Sequence, residues 1–242
     1  MIATPIGKAG LKISVLGLGT WAFAADGFWG GQDEKNSLST IRAALDSGIT
    51  LIDTAEAYGA GRSEEIVGRA LQGVREKAII ATKVSGANLG KADLLAACER
   101  SLIRLKTDYI DLYQLHWPNP NIPFEETIDA LYRLVENGKV RNVGCCNFGA
   151  RNLKQGIADG AGFVSNQLPY SLLWRAIEAH ILPECAQQKV AVLAYSPLSN
   201  GLLSGKYRSA RDVPAGRTTL TNRSRESGEI APISSTLRTS LR

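Results

Sequence analysis

The chain has 242 residues, enough for one large α/β domain or two small ones, and its 44% hydrophobic content can form a substantial core. No apolar run approaches about 18 residues, so we expect no transmembrane helix, and no secretory signal is recognisable at the start. The net charge is +5. Residues 217–242 hold five Arg and two Glu, or +3 of that total, so the charge does not predict a nucleic-acid-binding face.

The cysteines predict neither a metal site nor a disulfide framework. None of Cys98, Cys145, Cys146 and Cys185 has the spacing of zinc ligands. A chain of this size without a secretory signal is expected in the reducing cytoplasm. A redox pair of the adjacent Cys145 and Cys146 is an alternative that disulfide geometry disfavours.

The first 35 residues predict a hairpin, a strand and a loop. Residues 4–16 alternate around a glycine-containing turn, which predicts an N-terminal hairpin able to plug one end of a barrel. Val15–Thr20 is predicted as the first buried strand. The loop from Trp21 to Lys35 is rich in glycine and aromatic residues, which favours a binding wall over a collapsed surface loop.

Strand and helix patterns then alternate along the chain. Including the first strand there are seven strands, and this alternation predicts parallel pairing with right-handed crossovers. The fold class is therefore α/β, a (β/α)8 TIM-type barrel with an N-terminal hairpin. Ser63 is the predicted N-cap of the second helix. The further strands are predicted at 49–53, 78–83, 109–115, 140–145, 163–167 and 190–195, and the helices near 38–48, 63–71, 94–105, 123–138, 149–158 and 175–188.

An eighth strand is not recognisable. Residues 217–242 are rich in Arg, Ser and Thr, and Pro232 interrupts their one apolar cluster. We therefore expect an incomplete barrel over residues 1–216, missing strand 8 and its helix, and an irregular tail over 217–242. Such a barrel would leave the first and seventh strands with unpaired edges.

Four polar residues lie at or just beyond the carboxyl ends of successive predicted strands. They are Asp53, Tyr58, Lys83 and His116, and on a parallel barrel this end carries the active site. A phenol with a pKa of about 10 is a weak acid at neutral pH. A nearby Lys83 would lower that pKa, Asp53 would hold the lysine by an ion pair, and His116 could donate a hydrogen bond to the same substrate oxygen. The set suits protonation of a carbonyl oxygen as hydride reaches the carbon.

Many ordered motifs make the chain similar to the aldo-keto reductases from about Gly7 to Tyr207. The motifs are Gly17-Leu18-Gly19-Thr20-Trp21, Asp53-Thr54-Ala55, Tyr58-Gly59, Ser63-Glu64, Ala81-Thr82-Lys83, His116-Trp117-Pro118, Gly138-Lys139-Val140-Arg141, Gly144 through Phe148, Gln167, and Tyr195-Ser196-Pro197-Leu198. The resemblance implies a (β/α)8 barrel that binds NADPH, or less often NADH, and reduces carbonyl compounds.

The resemblance also implies roles for individual residues. Tyr58 would be the proton donor, with Asp53, Lys83 and His116 supporting it. The implied cofactor-binding residues are Thr20, Trp21, Asp53, Cys146, Asn147, Gln167, Tyr195, Ser196 and Leu198. Among these, Asn147 and Gln167 would hold the nicotinamide carboxamide, Tyr195 would stack on its ring, and the loop from Ser196 to Leu198 would wrap the pyrophosphate. Trp21, Phe23 and Trp117 would line the substrate site. Cys146 stands where the family usually has Ser, and a thiol is the weaker hydrogen-bonding group.

Two alternatives stay open beside the reductase. One is a non-catalytic cofactor-sensing or interaction subunit on the same scaffold, because some relatives in the family that the chain resembles, the potassium-channel β subunits, are partners of other proteins. The other is an inactive chain that lacks the family's usual C-terminal end. The expected partner is a small-molecule carbonyl substrate, with no nucleic acid and no membrane, and a monomer is the default.

Overall fold

The computed structural model describes residues 2–7, 10–25, 29 and 31–206. The predicted domain boundary at residue 216 and the predicted tail over 217–242 therefore lie outside the described residues, as does part of the loop that follows Trp21.

Strands and helices alternate through the described residues after an initial hairpin. The strands are β1 (Ala3–Ile6), β2 (Leu11–Ser14), β3 (Gly17–Gly19), β4 (Leu51–Asp53), β5 (Ile79–Val84), β6 (Ile110–Leu115), β7 (Val140–Cys146), β8 (Phe163–Pro169) and β9 (Ala191–Tyr195). The helices are α1 (Glu34–Asp46), α2 (Arg62–Ala70), α3 (Lys91–Leu105), α4 (Phe124–Glu136), α5 (Ala150–Ala158) and α6 (Ile181–Gln188).

The seven strands from β3 to β9 form one parallel sheet in the order of the chain. This confirms the predicted alternation. The sheet is curled, because Gln167 Nε2 on β8 lies 2.7 Å from Asp53 Oδ2 on β4. Four strand spacings in a flat sheet would separate them by roughly 19 Å. Within the described part of the chain, β3 and β9 each pair with one neighbour only.

The N-terminal hairpin is present as predicted and packs into one end of the curled sheet. Its strands β1 and β2 pair antiparallel. Ile6 and Ile13 are buried in a small apolar cluster with inward-facing residues of the sheet. A larger apolar cluster fills the space between the outer face of the sheet and the helices. Because side chains alternate along each strand, one face contributes to each cluster.

The first sheet strand is shorter and less covered than the sequence predicted. Strand β3 spans only Gly17–Gly19. Val15 and Leu16, predicted as part of a buried strand, are 52% and 58% exposed. They form no ladder with β4, whose pairing with β3 begins at Gly17.

Two helix starts also differ from the prediction. Gly61, with φ +94°, is the N-cap of α2, so Ser63 lies inside the helix. The helix predicted over 175–188 is interrupted: a short 3-10 turn, Ala176–Glu178, precedes α6, which begins at Ile181. Pro183 then lies in the first turn of α6, where its missing N–H leaves no hydrogen bond broken.

Candidate active site

The carboxyl ends of the parallel strands bring polar side chains together. Asp53 ends β4, Lys83 is the second-last residue of β5, and His116 follows β6 directly. Asn147 follows β7, and Tyr195 ends β9. Because all neighbouring strands are parallel, these residues share one end of the sheet.

Tyr58 reaches this end through a tight turn between β4 and α2. Its N–H donates to Ala55 O at 3.1 Å. The following Gly59 and Gly61 have φ of +57° and +94°, conformations that glycine adopts without strain. A Cβ on Gly59 would lie 2.8 Å from the Ala24 Cβ, so glycine also permits close packing on the turn that carries Trp21.

Lys83 is the centre of the site. Its fully buried ammonium donates to Asp53 Oδ1 at 2.6 Å, to Thr54 O at 2.8 Å and to the Tyr58 hydroxyl at 3.1 Å. All three N–H bonds of the ammonium are therefore used. The same nitrogen lies 4.8 Å from the centre of the Tyr58 ring.

The pKa values show how the charges in this cluster are held. Burial opposes the charged form of Lys83, but Asp53 and Tyr58 outweigh it and raise the lysine's pKa, so the group is an ammonium. For Tyr58 the expected lowering of the pKa by Lys83 is present, but the net shift is upward. Burial raises the pKa of the phenol above 10, and Lys83 offsets this only in part. The phenol therefore keeps its proton at neutral pH.

His116 is neutral. Burial, and then the charge of Lys83, lower the pKa of its imidazole from 6.5 to about 3. The His116 ring stands edge-on to the Tyr58 ring, with centroids 5.8 Å apart. A neutral imidazole carries one N–H, so it can serve as a hydrogen-bond donor beside the phenol.

Two side-chain amides lie next to this cluster in defined orientations. Gln167 Nε2 donates to Asp53 Oδ2 at 2.7 Å. Asn147, with φ +61°, donates through Nδ2 to His116 O at 3.0 Å and accepts through Oδ1 from the Tyr195 hydroxyl at 3.0 Å. Asp53 thus holds the lysine with one oxygen and an amide with the other.

The other residues proposed for cofactor binding occupy different surroundings. Thr20 is fully buried, and its hydroxyl donates to Asp53 O at 2.9 Å. Cys146 is 1% exposed, and burial raises the pKa of its thiol. Ser196, with φ +51°, starts the loop after β9, and Leu198 in that loop is 53% exposed. Tyr195, Ser196 and Leu198 are thus the accessible members of this set around β9.

Two of the three proposed substrate-contacting residues lie at the surface of this end. Trp21 stacks on Tyr58, with centroids 5.8 Å apart and planes at 21°. Trp117 is 53% exposed and stacks on His116 at 6.5 Å. Phe23 instead is 7% exposed and belongs to the main apolar core.

The sequence patterns did not predict the roles of two polar residues, Ser63 and Glu56, that hold the backbone of this site. The Ser63 hydroxyl donates to Thr20 O and accepts from Thr54 Oγ1, both at 2.9 Å. Glu56 is 8% exposed and accepts hydrogen bonds from the segment after Lys83. Their partners are distant in sequence, so the one available signal was the density of polar residues between Asp53 and Glu64.

The described residues hold neither a membrane-spanning helix nor a recognisable metal site. Within them no helix is long and apolar enough to cross a membrane. Residues 2–206, apart from the gaps stated above, contain no cluster of three or more His, Cys, Asp or Glu side chains arranged to hold a metal ion. The four cysteines are buried free thiols.

Comparison with known proteins finds a matching family model and similar reductases. The sequence model of the Aldo/keto reductase family matches residues 15–239. The aldo-keto reductase YhdN of Bacillus subtilis is 46% identical over 213 residues, which cover 84% of this chain and 64% of that protein. The NADH-specific methylglyoxal reductase of Escherichia coli is 36% identical over 236 residues, covering 88% of this chain and 72% of the relative.

A solved structure agrees. The aldo-keto reductase of Klebsiella pneumoniae in complex with NADPH has 36% sequence identity and a TM-score of 0.76, covering 87% of this chain and 74% of that one. The chain spans 64% of the length of the B. subtilis relative. The matched residues, the identities and the shared sheet together show that this chain belongs to the aldo/keto reductase family.

Proposed function

We propose that this chain reduces aldehydes or ketones to alcohols with NADPH, and that Tyr58 donates the proton. The contact that carries this proposal is the 3.1 Å hydrogen bond from the Lys83 ammonium to the Tyr58 hydroxyl. It joins an acid to the cation that stabilises its conjugate base. Bound nicotinamide would supply hydride to the carbonyl carbon, and the alcohol needs one proton at oxygen to complete the reaction.

The Tyr58 phenol keeps its proton until the substrate reacts. A phenol that stays protonated at neutral pH has a proton to give, and an alkoxide forming on the substrate is a far stronger base than a phenolate. Lys83 stabilises the phenolate left behind, and Asp53 keeps the ammonium in place. The neutral His116 would donate a second hydrogen bond to the substrate oxygen.

The two amides fit a primary carboxamide. Gln167 uses Nε2 on Asp53, and its Oε1 accepts no hydrogen bond from any described residue. Asn147 uses one N–H of Nδ2 on His116 O and retains a second. One free acceptor beside one free donor complements the N–H and C=O of nicotinamide's carboxamide. Tyr195 is held by Asn147 and supplies a ring for stacking.

The substrate would be a small carbonyl compound that fits between Trp21 and Trp117. Trp21 stacks on Tyr58 and Trp117 on His116, so an aromatic surface flanks the proton donor. The name of the E. coli relative adds methylglyoxal, a small oxoaldehyde, as a candidate. The same name makes NADH a second cofactor to test, whereas the K. pneumoniae structure favours NADPH. We further propose that the protein is cytoplasmic, because its four cysteines are free thiols and the cytoplasm is reducing. We also propose that it is a monomer.

The experiment measures loss of reduced-nicotinamide absorbance with NADPH or NADH, methylglyoxal or an aromatic aldehyde. Wild-type protein should consume NADPH, and Tyr58→Phe should lower kcat by about 10³-fold while still binding NADPH by fluorescence titration. Binding without turnover by the wild type would support the cofactor-sensing alternative. Absence of both would support the inactive alternative.

A further inference from the structure

Glu56 is a buried carboxylate two residues before Tyr58 for which the reaction above has no use. Its residue is 8% exposed. The turn that carries it also carries Tyr58, between β4 and α2. A carboxylate is costly to remove from water unless it is hydrogen-bonded, so its partners indicate its role.

The carboxylate of Glu56 binds the segment that follows Lys83. Its Oε1 accepts from the Ser85 N–H at 2.7 Å and from Asn88 Nδ2 at 2.9 Å. Its Oε2 lies 3.9 Å from an Arg100 nitrogen on α3. The two shorter contacts both join the Tyr58 turn to the chain just beyond β5.

These contacts continue the parallel ladder between β4 and β5. Thr54 N donates to Ala81 O at 2.8 Å, and Glu56 N donates to Lys83 O at 3.3 Å. The chain after Glu56 then turns away toward Tyr58, so no strand backbone lies opposite the Ser85 N–H. The Glu56 side chain accepts from that N–H and adds one more connection beyond the strand.

The ladder, the carboxylate and the ammonium close a small ring of contacts around Lys83. The ammonium binds Thr54 O and the Tyr58 hydroxyl, and Glu56 holds the first residue of the turn that carries Tyr58. The 3.1 Å distance between Lys83 Nζ and the Tyr58 hydroxyl therefore depends on a turn that is fixed just before Tyr58 in the chain.

We propose that Glu56 is a positioning residue that holds the Tyr58 hydroxyl on the Lys83 ammonium by clamping the Tyr58 turn to the Ser85–Asn88 segment. Its contribution to catalysis rests on the proposed function. Its geometric effect does not, since it concerns two side chains of the protein itself. A displacement of a reacting group by about 1 Å can cost about 10²-fold in rate.

The reach of the side chain and its charge can be separated with two variants. Glu56→Asp keeps the charge but is one methylene too short for Ser85 and Asn88. Glu56→Gln keeps the length and one carbonyl oxygen but loses the charge. Clamping predicts that Glu56→Asp is the more damaging variant, whereas an electrostatic effect on Tyr58 predicts the reverse.

Glu64 provides the matched control. It is fully buried on α2 and accepts from Thr82 Oγ1 at 2.6 Å and Arg104 Nη1 at 3.0 Å, and within the described residues it forms no hydrogen bond with Tyr58 or Lys83. Glu64→Gln should lower the melting temperature without changing kcat measured well below that temperature.

The first measurement is kinetic. We expect Glu56→Asp to lower kcat for aldehyde reduction by about tenfold or more, Glu56→Gln by about threefold or less, and both to leave the NADPH dissociation constant within about twofold. A purely structural role would lower the melting temperature of Glu56→Asp and leave kcat unchanged, and that result overturns the proposal. A larger kcat loss in Glu56→Gln than in Glu56→Asp overturns it as well.

The second measurement needs no turnover. In protein labelled with ¹³C at the ring carbon bearing the hydroxyl of tyrosine, the Tyr58 resonance is the one lost in Tyr58→Phe. The variant Lys83→Met gives the chemical shift of the Tyr58 resonance when the ammonium is absent. We expect the resonance to move toward that chemical shift in Glu56→Asp and to stay in Glu64→Gln.

The two measurements separate this proposal from the proposed function. If the wild type turns over no aldehyde and the resonance moves in Glu56→Asp, the reductase proposal fails and the positioning role holds. If the resonance does not move in Glu56→Asp, the positioning role is overturned whatever the turnover.

Discussion

Two carboxylates, one at each end of the sheet, meet cations in different ways. At the carboxyl end, Asp53 pairs with the fully buried ammonium of Lys83 at 2.6 Å. At the amino end of β6, Asp111 is 1% exposed and meets Arg75 at 2.7 Å and Arg141 at 3.2 Å. Both are ion pairs by distance, but the cation of the first also hydrogen-bonds to the Tyr58 hydroxyl.

The difference lies in what else each cation contacts. The guanidinium groups at the amino end bind Asp111 and lie 4.1 and 3.6 Å from the centre of the Tyr109 ring. Arg75 also donates to backbone carbonyls, so its charge serves only structure. Lys83 instead places its third N–H on a hydroxyl that can ionise. The two pairs therefore differ in the remaining partner of the cation, which is an ionisable hydroxyl for Lys83.

The largest effect is expected from Lys83→Met. It removes the stabilisation of the Tyr58 phenolate and leaves Asp53 with Gln167 as its remaining partner. We expect kcat for aldehyde reduction to fall by about 10³-fold and the free energy of unfolding by about 3 kcal/mol. Steady-state kinetics and urea titration check both. Near-normal kcat in a folded variant would remove Lys83 from the chemistry.

The second-largest effect is expected from Arg75→Leu, at the amino end of the sheet. Arg75→Leu breaks the contact with Asp111 and three further hydrogen bonds, to Thr107, Ala78 and Tyr109. We expect the free energy of unfolding to fall by about 3 kcal/mol, because a buried carboxylate loses one of its two cations. Measured well below the melting temperature, kcat should stay within about twofold. A kcat loss comparable to that of Lys83→Met would show that the two ends are not independent.

The smallest effect is a pH dependence of stability from His116. Its pKa is about 3 in the folded chain against 6.5 for the free group. Below pH 6.5 the unfolded chain gains a proton that the folded chain refuses, so stability present above pH 6.5 is lost as the pH falls toward 3. The loss should be about 1.4 kcal/mol per unit.

Urea titrations at pH 7 and pH 5 compare the wild type with His116→Asn. The variant should lose less stability over this interval, by about 2 kcal/mol, since only the wild type carries the buried imidazole. Equal losses in the two proteins would place the His116 ring in water, contrary to the structure.

Much of the fold followed from local patterns. Apolar runs such as 78–83 and 109–115 differ in period from the intervening helices, and each lies within one or two residues of the observed strand. The predicted boundaries were wrong at the first strand of the sheet and at the start of the last helix. Val15 is exposed because β3 begins only at Gly17, and the helix before residue 188 starts late because of Pro183.

The candidate site could be predicted from the sequence only in part. Strand ends and motif resemblance singled out Asp53, Tyr58, Lys83 and His116, and in the structure Lys83 hydrogen-bonds to both Asp53 and Tyr58. Phe23 was expected beside the substrate and is buried in the core instead. The sign of the Tyr58 pKa shift could not be predicted, because it depends on how completely water is excluded from the phenol.

By itself, the sequence determined the alternation of strands and helices and the polar residues at their ends, because side-chain periodicity is a local property of the chain. Only the tertiary structure decided which of those residues touch, since the curl of the sheet brings Gln167 to Asp53 across four strand spacings. It alone assigned Glu56 to Ser85 and Asn88, because such hydrogen bonds join segments that have no fixed spacing along the chain.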